Sequence, residues 1–212
     1  DSSRRAFFRK FSAAPLIITS RALGGNGVPP ASDRIAIAFI GVGTRGGDGL
    51  VKHFTKLPEC QCVATCDPFK DRREQWAHYI DGVYAERDRK APGKGCATYN
   101  DLRELLRRKD IDAVAIATPD HWHVPAAIAA VKAGKDIYVE KPLGLTMKQN
   151  LALRQAVNKH KRIFQYGTQQ RSMPHLLHGC ELVRNGRIGK VHTVEVIAPA
   201  GSPGGVKTPM PV

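Results

Sequence analysis

Long hydrophobic runs are missing from this chain of 212 residues. Apart from a modest apolar stretch near the amino terminus, no segment approaches the roughly eighteen apolar residues that a membrane-spanning helix needs, so we predict no membrane span. The five cysteines are an odd number and lack the spacing of a disulfide framework or a zinc site. Cys60, Cys62 and Cys66 follow the period of two that places side chains on one face of a strand. The sequence therefore predicts a packed sheet there, with no metal centre, and leaves any disulfide unassigned.

Aromatic residues make up only 7% of the chain, which limits what its net charge of +14 can mean. Single-stranded nucleic acids are commonly bound by cations combined with aromatic side chains, on which the bases stack. The densest basic clusters, residues 70–73, 87–94 and 103–109, contain no aromatic residue, and no helix-turn-helix or RNA-binding motif is present. We therefore predict that these clusters are solvated helix faces and that the protein has no nucleic-acid partner.

A glycine-rich motif is the most informative feature that the chain does contain. The apolar run 34–40 leads into G-V-G-T-R-G at residues 41–46, the G-x-G-x-x-G pattern of a strand that turns into a helix. The first glycine permits a tight turn, the second lets the backbone approach phosphates, and the third lets helix and strand pack closely. The free N–H groups of the new helix would hold negative charge. The predicted contacts to a dinucleotide are Gly41, Gly43, Thr44, Arg45 and Gly46.

An acidic residue follows the next apolar run. Residues 62–66 form this run, and Asp67 ends it about twenty residues beyond the glycine motif, where such a unit places an acid on the adenosine ribose. Its carboxylate can accept from both ribose hydroxyls and would repel a 2′-phosphate, so we predict NAD rather than NADP. Two alternatives stay open, because Asp67 can also cap a helix that begins near Pro68, and the cations Lys70, Arg72 and Arg73 could reach a 2′-phosphate.

Strands and helices alternate along the rest of the chain. Predicted strands cover residues 34–40, 62–66, 113–117, 136–139 and 162–166, and predicted helices cover residues 45–56, 71–80, 101–106, 124–133 and 146–160. Such a βαβ series predicts an α/β, Rossmann-type domain over residues 34–168, with a parallel sheet covered on both faces by helices. Residues 81–95 are predicted to form a surface insertion, and residues 118–123 a loop.

The first 33 residues are predicted to be an export signal and a linker. Arg4 and Arg5 lie in the run S-R-R-A-F-F, which is typical of a twin-arginine signal, and an apolar stretch and a glycine- and proline-rich spacer follow. This pattern predicts a periplasmic or other extracytoplasmic location. The alternative is a disordered basic tail on a cytoplasmic protein, because Arg21 interrupts the segment and no clear cleavage site is present.

Three further motifs follow later strands. They are T-P-D-H-W-H at residues 118–123, A-G-K-D-I-Y-V-E-K-P at 133–142 and Y-G-T-Q-Q-R at 166–171. Together with the glycine motif they resemble the Gfo/Idh/MocA oxidoreductases, the family of glucose-fructose oxidoreductase and inositol dehydrogenase. The resemblance covers residues 34–197, and the E-K-P after a strand is its most specific element. It implies the NAD(P)-binding domain of an enzyme that oxidises sugars or polyols.

The candidate catalytic residues come at the ends of predicted parallel strands, where open α/β sheets bind ligands. Lys141 could hold a sugar hydroxyl beside the nicotinamide and share its proton, and the resemblance implies this role. The alternative is a surface lysine paired with Glu140. His123 matches a family histidine and could relay a proton or only bond a carbonyl at a strand end. In an extended loop His121 would project to the same side, but it has no general family counterpart.

The resemblance implies the other contacts of the site. It implies cofactor contacts from Thr118, Pro119, Asp120, His123, Glu140 and Lys141. It implies substrate contacts from Lys141, Gln169 and Arg171, although a basic loop residue such as Arg171 is more often only solvated.

Full members of the family continue through a second α/β domain that covers the active site and mediates oligomerisation. Residues 169–212 are predicted to begin such a domain, with residues 190–196 as its first strand, and the chain opens with Asp1 rather than methionine. We therefore expect a fragment that binds a nucleotide without turning over, from a full-length protein that forms a homo-oligomer.

Three functions fit these expectations. The first is an NAD(P)-dependent oxidoreductase that takes a hydride from a CH–OH group of a sugar, polyol or glycoside, with a lysine as acid and base. The second is an NAD-dependent glycosidase that oxidises its substrate transiently. The third is a sugar or nucleotide sensor without activity, since a fold does not fix a function. The presence of Lys141 and Glu140 favours an enzyme.

Overall fold

The computed structural model describes Gly24, residues 29–87 and residues 95–197. The strands in this part are β1 (Ile35–Ile40), β2 (Cys60–Cys66), β3 (Ala97–Tyr99), β4 (Ala113–Ile116), β5 (Asp136–Glu140) and β6 (Phe164–Gly167). They form one parallel sheet with the order β3-β2-β1-β4-β5-β6. The predicted α/β, Rossmann-type fold is therefore confirmed, and the direction of winding reverses between β1 and β4.

Helices follow the strands along the chain. The first, α1, is a π-helix over Arg45–Val51 that continues as an α-helix over Lys52–Phe54. The others are α2 (Lys70–Arg87), α3 (Leu102–Leu106), α4 (Asp120–Lys132), α5 (Met147–His160) and α6 (Pro174–Arg184), with short 3-10 helices over Ala31–Asp33 and Gln169–Ser172. Among the described helices, none is both long and apolar enough to cross a membrane.

Both faces of β1 are buried, which is why its sequence is a continuous apolar run rather than an alternating one. Ile37 and Phe39 pack with α1 and α2 on one face, while Ala38 and Ile40 pack with α3, α4 and α5 on the other. Burying a side chain such as Phe39, which is 1% exposed, contributes about 1.5–3 kcal/mol. The central strand is thus held from both sides, and its carboxyl end is a firm base for the glycine motif.

The register between β1 and β2 shifts once, because the pairing passes over Val63. Such a bulge reverses the alternation of side chains beyond it. Cys60 and Cys62 therefore pack towards α2, whereas Cys66 packs on the opposite face, in the cluster that contains α4. The prediction that the three cysteines share one face is wrong for Cys66, because a period of two counts an inserted residue as a regular one.

Helix α2 is longer than predicted. It continues past Ile80 to Arg87, so the first part of the predicted insertion 81–95 is helical, and residues 88–94 lie outside the described part. The extra turns have partners on the sheet side: the Tyr84 hydroxyl accepts the Cys62 N–H at 2.9 Å, and the Arg87 guanidinium donates to the Thr55 carbonyl at 2.6 Å. The helix is predicted to end at Ile80 because the sequence of these turns is largely polar and gives no sign of this packing.

The predicted strand over residues 190–196 is absent from the structure, in which no strand of the described residues pairs with this segment. A strand needs a neighbour for its N–H and C=O groups, and the sheet ends at β6. The unpredicted helix α6 precedes it. The twin-arginine motif at Arg4 and Arg5 lies outside the described residues.

Candidate functional site

The turn after β1 depends on its glycines. Gly41 has a φ of +81°, which favours glycine, and a Cβ at Gly46 would lie 1.9 Å from the Gly41 carbonyl oxygen. Gly43 is different, because the nearest atom to a Cβ there is in the Arg72 guanidinium, at 3.7 Å. The space above Gly43 is therefore open, as the close approach of a pyrophosphate to the backbone would require.

Asp67 holds this turn from the neighbouring strand. The residue is 4% exposed. One carboxylate oxygen accepts the Val42 N–H at 2.9 Å, and the other accepts the Phe69 N–H at 3.0 Å. The carboxylate thus joins the glycine turn to the segment that leads into α2, close to the capping role left open by the sequence. Each oxygen keeps a second acceptor site, which a ribose hydroxyl could use.

The two arginines after Asp67 differ in their contacts. Arg73 donates to the main-chain carbonyls of Asp67 and Pro68, at 3.1 and 3.0 Å. Arg72 instead stacks on the Phe69 ring, with its guanidinium carbon 4.5 Å from the ring centre. Of these two cations, Arg72 lies beside the glycine turn, because its guanidinium is the nearest group to a Cβ at Gly43.

Thr118 lies across the reversal point from the glycine turn. A Cβ on Gly41 would be 2.7 Å from the Thr118 nitrogen, so the two backbones are in direct contact. The Thr118 hydroxyl is buried and has no hydrogen-bond partner among the described residues. A buried polar group without a partner is costly, and a bound ligand could satisfy it.

The segment predicted as the loop 118–123 is mostly helical. Helix α4 begins at Asp120, directly after Pro119, so His121 and His123 lie on a helix and do not share one side. His121 is exposed, whereas His123 is 2% exposed and its Nδ1 lies 2.5 Å from the Pro142 carbonyl oxygen. The loop prediction is wrong because a proline is tolerated at the start of a helix as well as in a loop.

The contact of His123 defines its place in the site. Because a carbonyl only accepts, Nδ1 carries the proton and donates it. Of the two roles left open, the structure contains the bond to a carbonyl after a strand. His123 therefore joins α4 to the turn that carries Lys141.

Glu140, at the end of β5, is 2% exposed and forms an ion pair with Arg45 of the glycine turn, with the Arg45 Nη2 and Glu140 Oε1 atoms 2.6 Å apart. The hydrogen bond to Glu140 raises the pKa of Arg45. The Tyr138 hydroxyl donates to the same oxygen at 3.3 Å, and burial, together with this carboxylate, raises the pKa of Tyr138. Residues 95 positions apart in the sequence thus meet, and no sequence signal could have revealed the pair.

Lys141 is exposed and follows Glu140 directly. The ion pairs found among residues 29–87 and 95–197 do not include it. The alternative in which Lys141 is paired with Glu140 is therefore not what the structure contains, since Arg45 takes that position. The ammonium group is available to a ligand.

The two remaining candidates lie after β6, which is next to β5 in the sheet. Gln169 begins the 3-10 helix there, and its side-chain oxygen is buried without a partner among the described residues. Arg171 is exposed. Both residues therefore lie at the carboxyl ends of the strands, as Lys141 does. The part of the chain that the structure describes contains no group of three side chains arranged to hold a metal ion.

A parallel sheet with a glycine turn at its reversal point and polar residues at the ends of its strands defines a dinucleotide-binding domain. The family model for Gfo/Idh/MocA oxidoreductases, described as an oxidoreductase family with an NAD-binding Rossmann fold, matches residues 35–168. The chain belongs to this family.

Named relatives come from sequence and structure comparisons. A glycosyl hydrolase family 109 protein of Shewanella pealeana is 33% identical over 148 residues, which are 70% of this chain and 30% of that protein. An alpha-N-acetylgalactosaminidase of Shewanella oneidensis is 37% identical over 124 residues, 58% of this chain and 26% of that protein. This chain therefore matches less than a third of the length of either protein.

A solved myo-inositol 2-dehydrogenase from Lactobacillus plantarum superimposes with a TM-score of 0.60 at 27% identity, covering 74% of this chain and 43% of that one. The structure of scyllo-inositol dehydrogenase from Lactobacillus casei with bound NAD(H) and scyllo-inositol has a TM-score of 0.62 at 23% identity, covering 74% and 42%. The second match supports the fold alone.

Proposed function

We propose that this protein is an NAD-dependent enzyme whose reaction begins by taking a hydride from a CH–OH group of a sugar unit. The observation that carries the proposal is the placement of Lys141. It lies at the end of β5, in the turn held by His123, and its neighbour Glu140 is already neutralised by Arg45 of the glycine turn. The lysine is thus fixed by its backbone and free at its ammonium end.

The residues present fit a dinucleotide. The open space at Gly43 and the unpartnered hydroxyl of Thr118 support contacts to it, and Asp67 keeps acceptor sites for a ribose. NAD, when bound, supplies a hydride acceptor. Lys141 in its neutral form would take the proton of the substrate hydroxyl as the carbon loses its hydride, and the ammonium would return that proton in the reverse direction. Gln169 offers a buried oxygen to a further substrate hydroxyl.

A second candidate is glycoside cleavage by transient oxidation, favoured by the relatives named as glycosyl hydrolase family 109 and alpha-N-acetylgalactosaminidase. Both candidates begin with the same hydride transfer. They differ in the outcome, because an oxidoreductase accumulates a reduced cofactor, whereas transient oxidation returns the hydride and releases the aglycone.

The test uses the protein as its cell makes it, with NAD and either free sugars and polyols or a nitrophenyl α-N-acetylgalactosaminide. NADH absorbance reports net oxidation, and nitrophenol reports cleavage. Lys141→Ala should lower either signal about 10²- to 10⁴-fold, while the matched control Lys148→Ala, another exposed lysine seven positions along the chain, should keep it. Absence of NAD binding would refute the enzyme and also a dinucleotide sensor. NAD binding without either signal would leave the sensor.

We also propose export through the twin-arginine motif. Changing Arg4 and Arg5 together to lysine should leave the precursor in the cytoplasm of a bacterial host, as measured by fractionation. Undiminished recovery from the periplasm would refute export through this motif.

A further inference from the structure

The carboxylate of Glu140 receives donors from three parts of the site. Its Oε1 accepts from Arg45 at 2.6 Å and from the Tyr138 hydroxyl at 3.3 Å, and its Oε2 accepts the Lys141 N–H at 3.3 Å. A carboxylate that is only 2% exposed needs such donors. Arg45 is the one cation among them, and it comes from the glycine turn.

The guanidinium of Arg45 is held in place but not covered. A Cβ on Gly49, one turn further along α1, would lie 3.0 Å from its Nη1 atom, so the absent side chain makes room for the arginine. The Arg45 side chain is nevertheless 45% exposed. One side of the guanidinium therefore faces Glu140, and other N–H groups are left for a second anion.

We propose that Arg45 and Glu140 act as one positioning pair that connects the phosphate end of the site to Lys141. Arg45 is shared between Glu140 and a phosphate of the bound dinucleotide, and Glu140 holds the backbone from which Lys141 projects. The pair would make the lysine position depend on an occupied glycine turn. This inference rests on the proposed function.

The alternative is a purely structural ion pair, and the two roles separate in a set of variants. Arg45→Met leaves a buried charge without its cation and should lower the Tm. Adding Glu140→Gln removes that charge and should restore most of the Tm. Lys52→Met is the matched control, because Lys52 belongs to an exposed ion pair with Asp48 on the same helix.

If Arg45 and Glu140 act as a positioning pair, the double variant should regain its Tm without regaining its affinity for NAD. Arg45→Met alone and in the double variant should raise the Kd for NAD, measured by titration calorimetry, about tenfold. Glu140→Gln alone should keep that Kd within about threefold and lower kcat at least about tenfold, with a smaller change in KM. The control should change neither quantity by more than about twofold.

Two results would overturn the inference. If the unmodified protein binds NAD and turns over, but the double variant matches it in Kd and kcat, the pair is structural and the proposed function survives. If the unmodified protein binds no NAD, the proposed function and the inference fail together.

Discussion

Gly43→Ala should weaken NAD binding without changing stability, whereas Gly46→Ala should lower stability, although both residues belong to the same turn. A Cβ at Gly43 would meet only Arg72, at 3.7 Å, whereas a Cβ at Gly46 would lie 1.9 Å from the Gly41 carbonyl oxygen. The first substitution leaves the fold unchanged and fills the space assigned to the pyrophosphate. The second pushes the backbone of the turn apart.

The magnitudes follow from these contacts. Gly43→Ala should change the free energy of unfolding by no more than about 0.5 kcal/mol, as expected for a change that meets no close neighbour. It should raise the Kd for NAD at least about tenfold, which is about 1.4 kcal/mol. Gly46→Ala should cost about 1–3 kcal/mol of stability, as overpacking does, and lower the Tm by about 2–12 °C for a chain of this size.

Scanning calorimetry of the ligand-free protein measures the stabilities, and titration calorimetry with NAD measures the affinities. The essential comparison is Gly43→Ala, because its fold is intact and any loss of affinity is local. If this variant bound NAD as tightly as the unmodified protein, the pyrophosphate would not lie against Gly43. If Gly46→Ala kept its Tm, the close approach to Gly41 would be wrong.

Three further predictions concern residues of the site and two cysteines outside it. Asp67→Ala should reduce the preference for NAD over NADP, and should also lower the Tm because the Asp67 carboxylate accepts from two backbone N–H groups. Parallel titrations with the two dinucleotides measure the preference, and a melting curve measures the Tm. An NADP preference in the unmodified protein would contradict this prediction. Lys141→Ala should lower turnover about 10²- to 10⁴-fold with nearly unchanged NAD affinity, whereas His123→Ala should cost less turnover and more stability; equal losses of turnover would instead make His123 a proton relay. Cys180 is exposed and should react quickly with a thiol reagent, whereas burial raises the pKa of Cys62 to about 12, so rapid labelling of Cys62 in the folded protein would refute its packing.

The sequence was informative wherever local pattern and burial agree. The apolar runs at β1 and β4 are buried on both faces, and continuous hydrophobicity is the expected mark of such strands. Two glycines of the motif have the local geometry that the motif predicts, because Gly41 has a positive φ and a Cβ at Gly46 would meet the Gly41 carbonyl oxygen. These features depend on neighbours in sequence, so a single chain is enough to find them.

Most of the misses have a different cause, since they depend on a partner far along the chain. The bulge at Val63 exists only relative to β1, and the length of α2 depends on Tyr84 reaching β2. The strand β3 has three residues and exists only through its pairing with β2. The segment 190–196 has the composition of a strand but no neighbouring strand in the described sheet.

At the candidate site, the residues could be predicted from the sequence, but their hydrogen-bond and ion-pair partners could not. The strand ends and the E-K-P motif placed Lys141, Glu140 and His123 at one edge of the sheet. Their partners, namely Arg45 for Glu140 and the Pro142 carbonyl for His123, could not be foreseen, because both contacts form across elements that the sequence separates.

The bulge in β2 precedes the acid at the end of this strand, and it changes which residues of the strand face the same side. Val63 is the extra residue, so a period of two counted from Cys60 assigns the wrong face to the later side chains of the strand. Deleting Val63 would let the strand pair regularly, with Cys62 still beside Ile37 and Ala64 still beside Ala38, so the residues that lead to Asp67 would keep their partners and their faces. The position of Asp67 therefore depends on the pairing of β2 with β1 and not on the number of residues in β2, so a lineage could lose Val63 and keep the acid at the nucleotide end of the sheet.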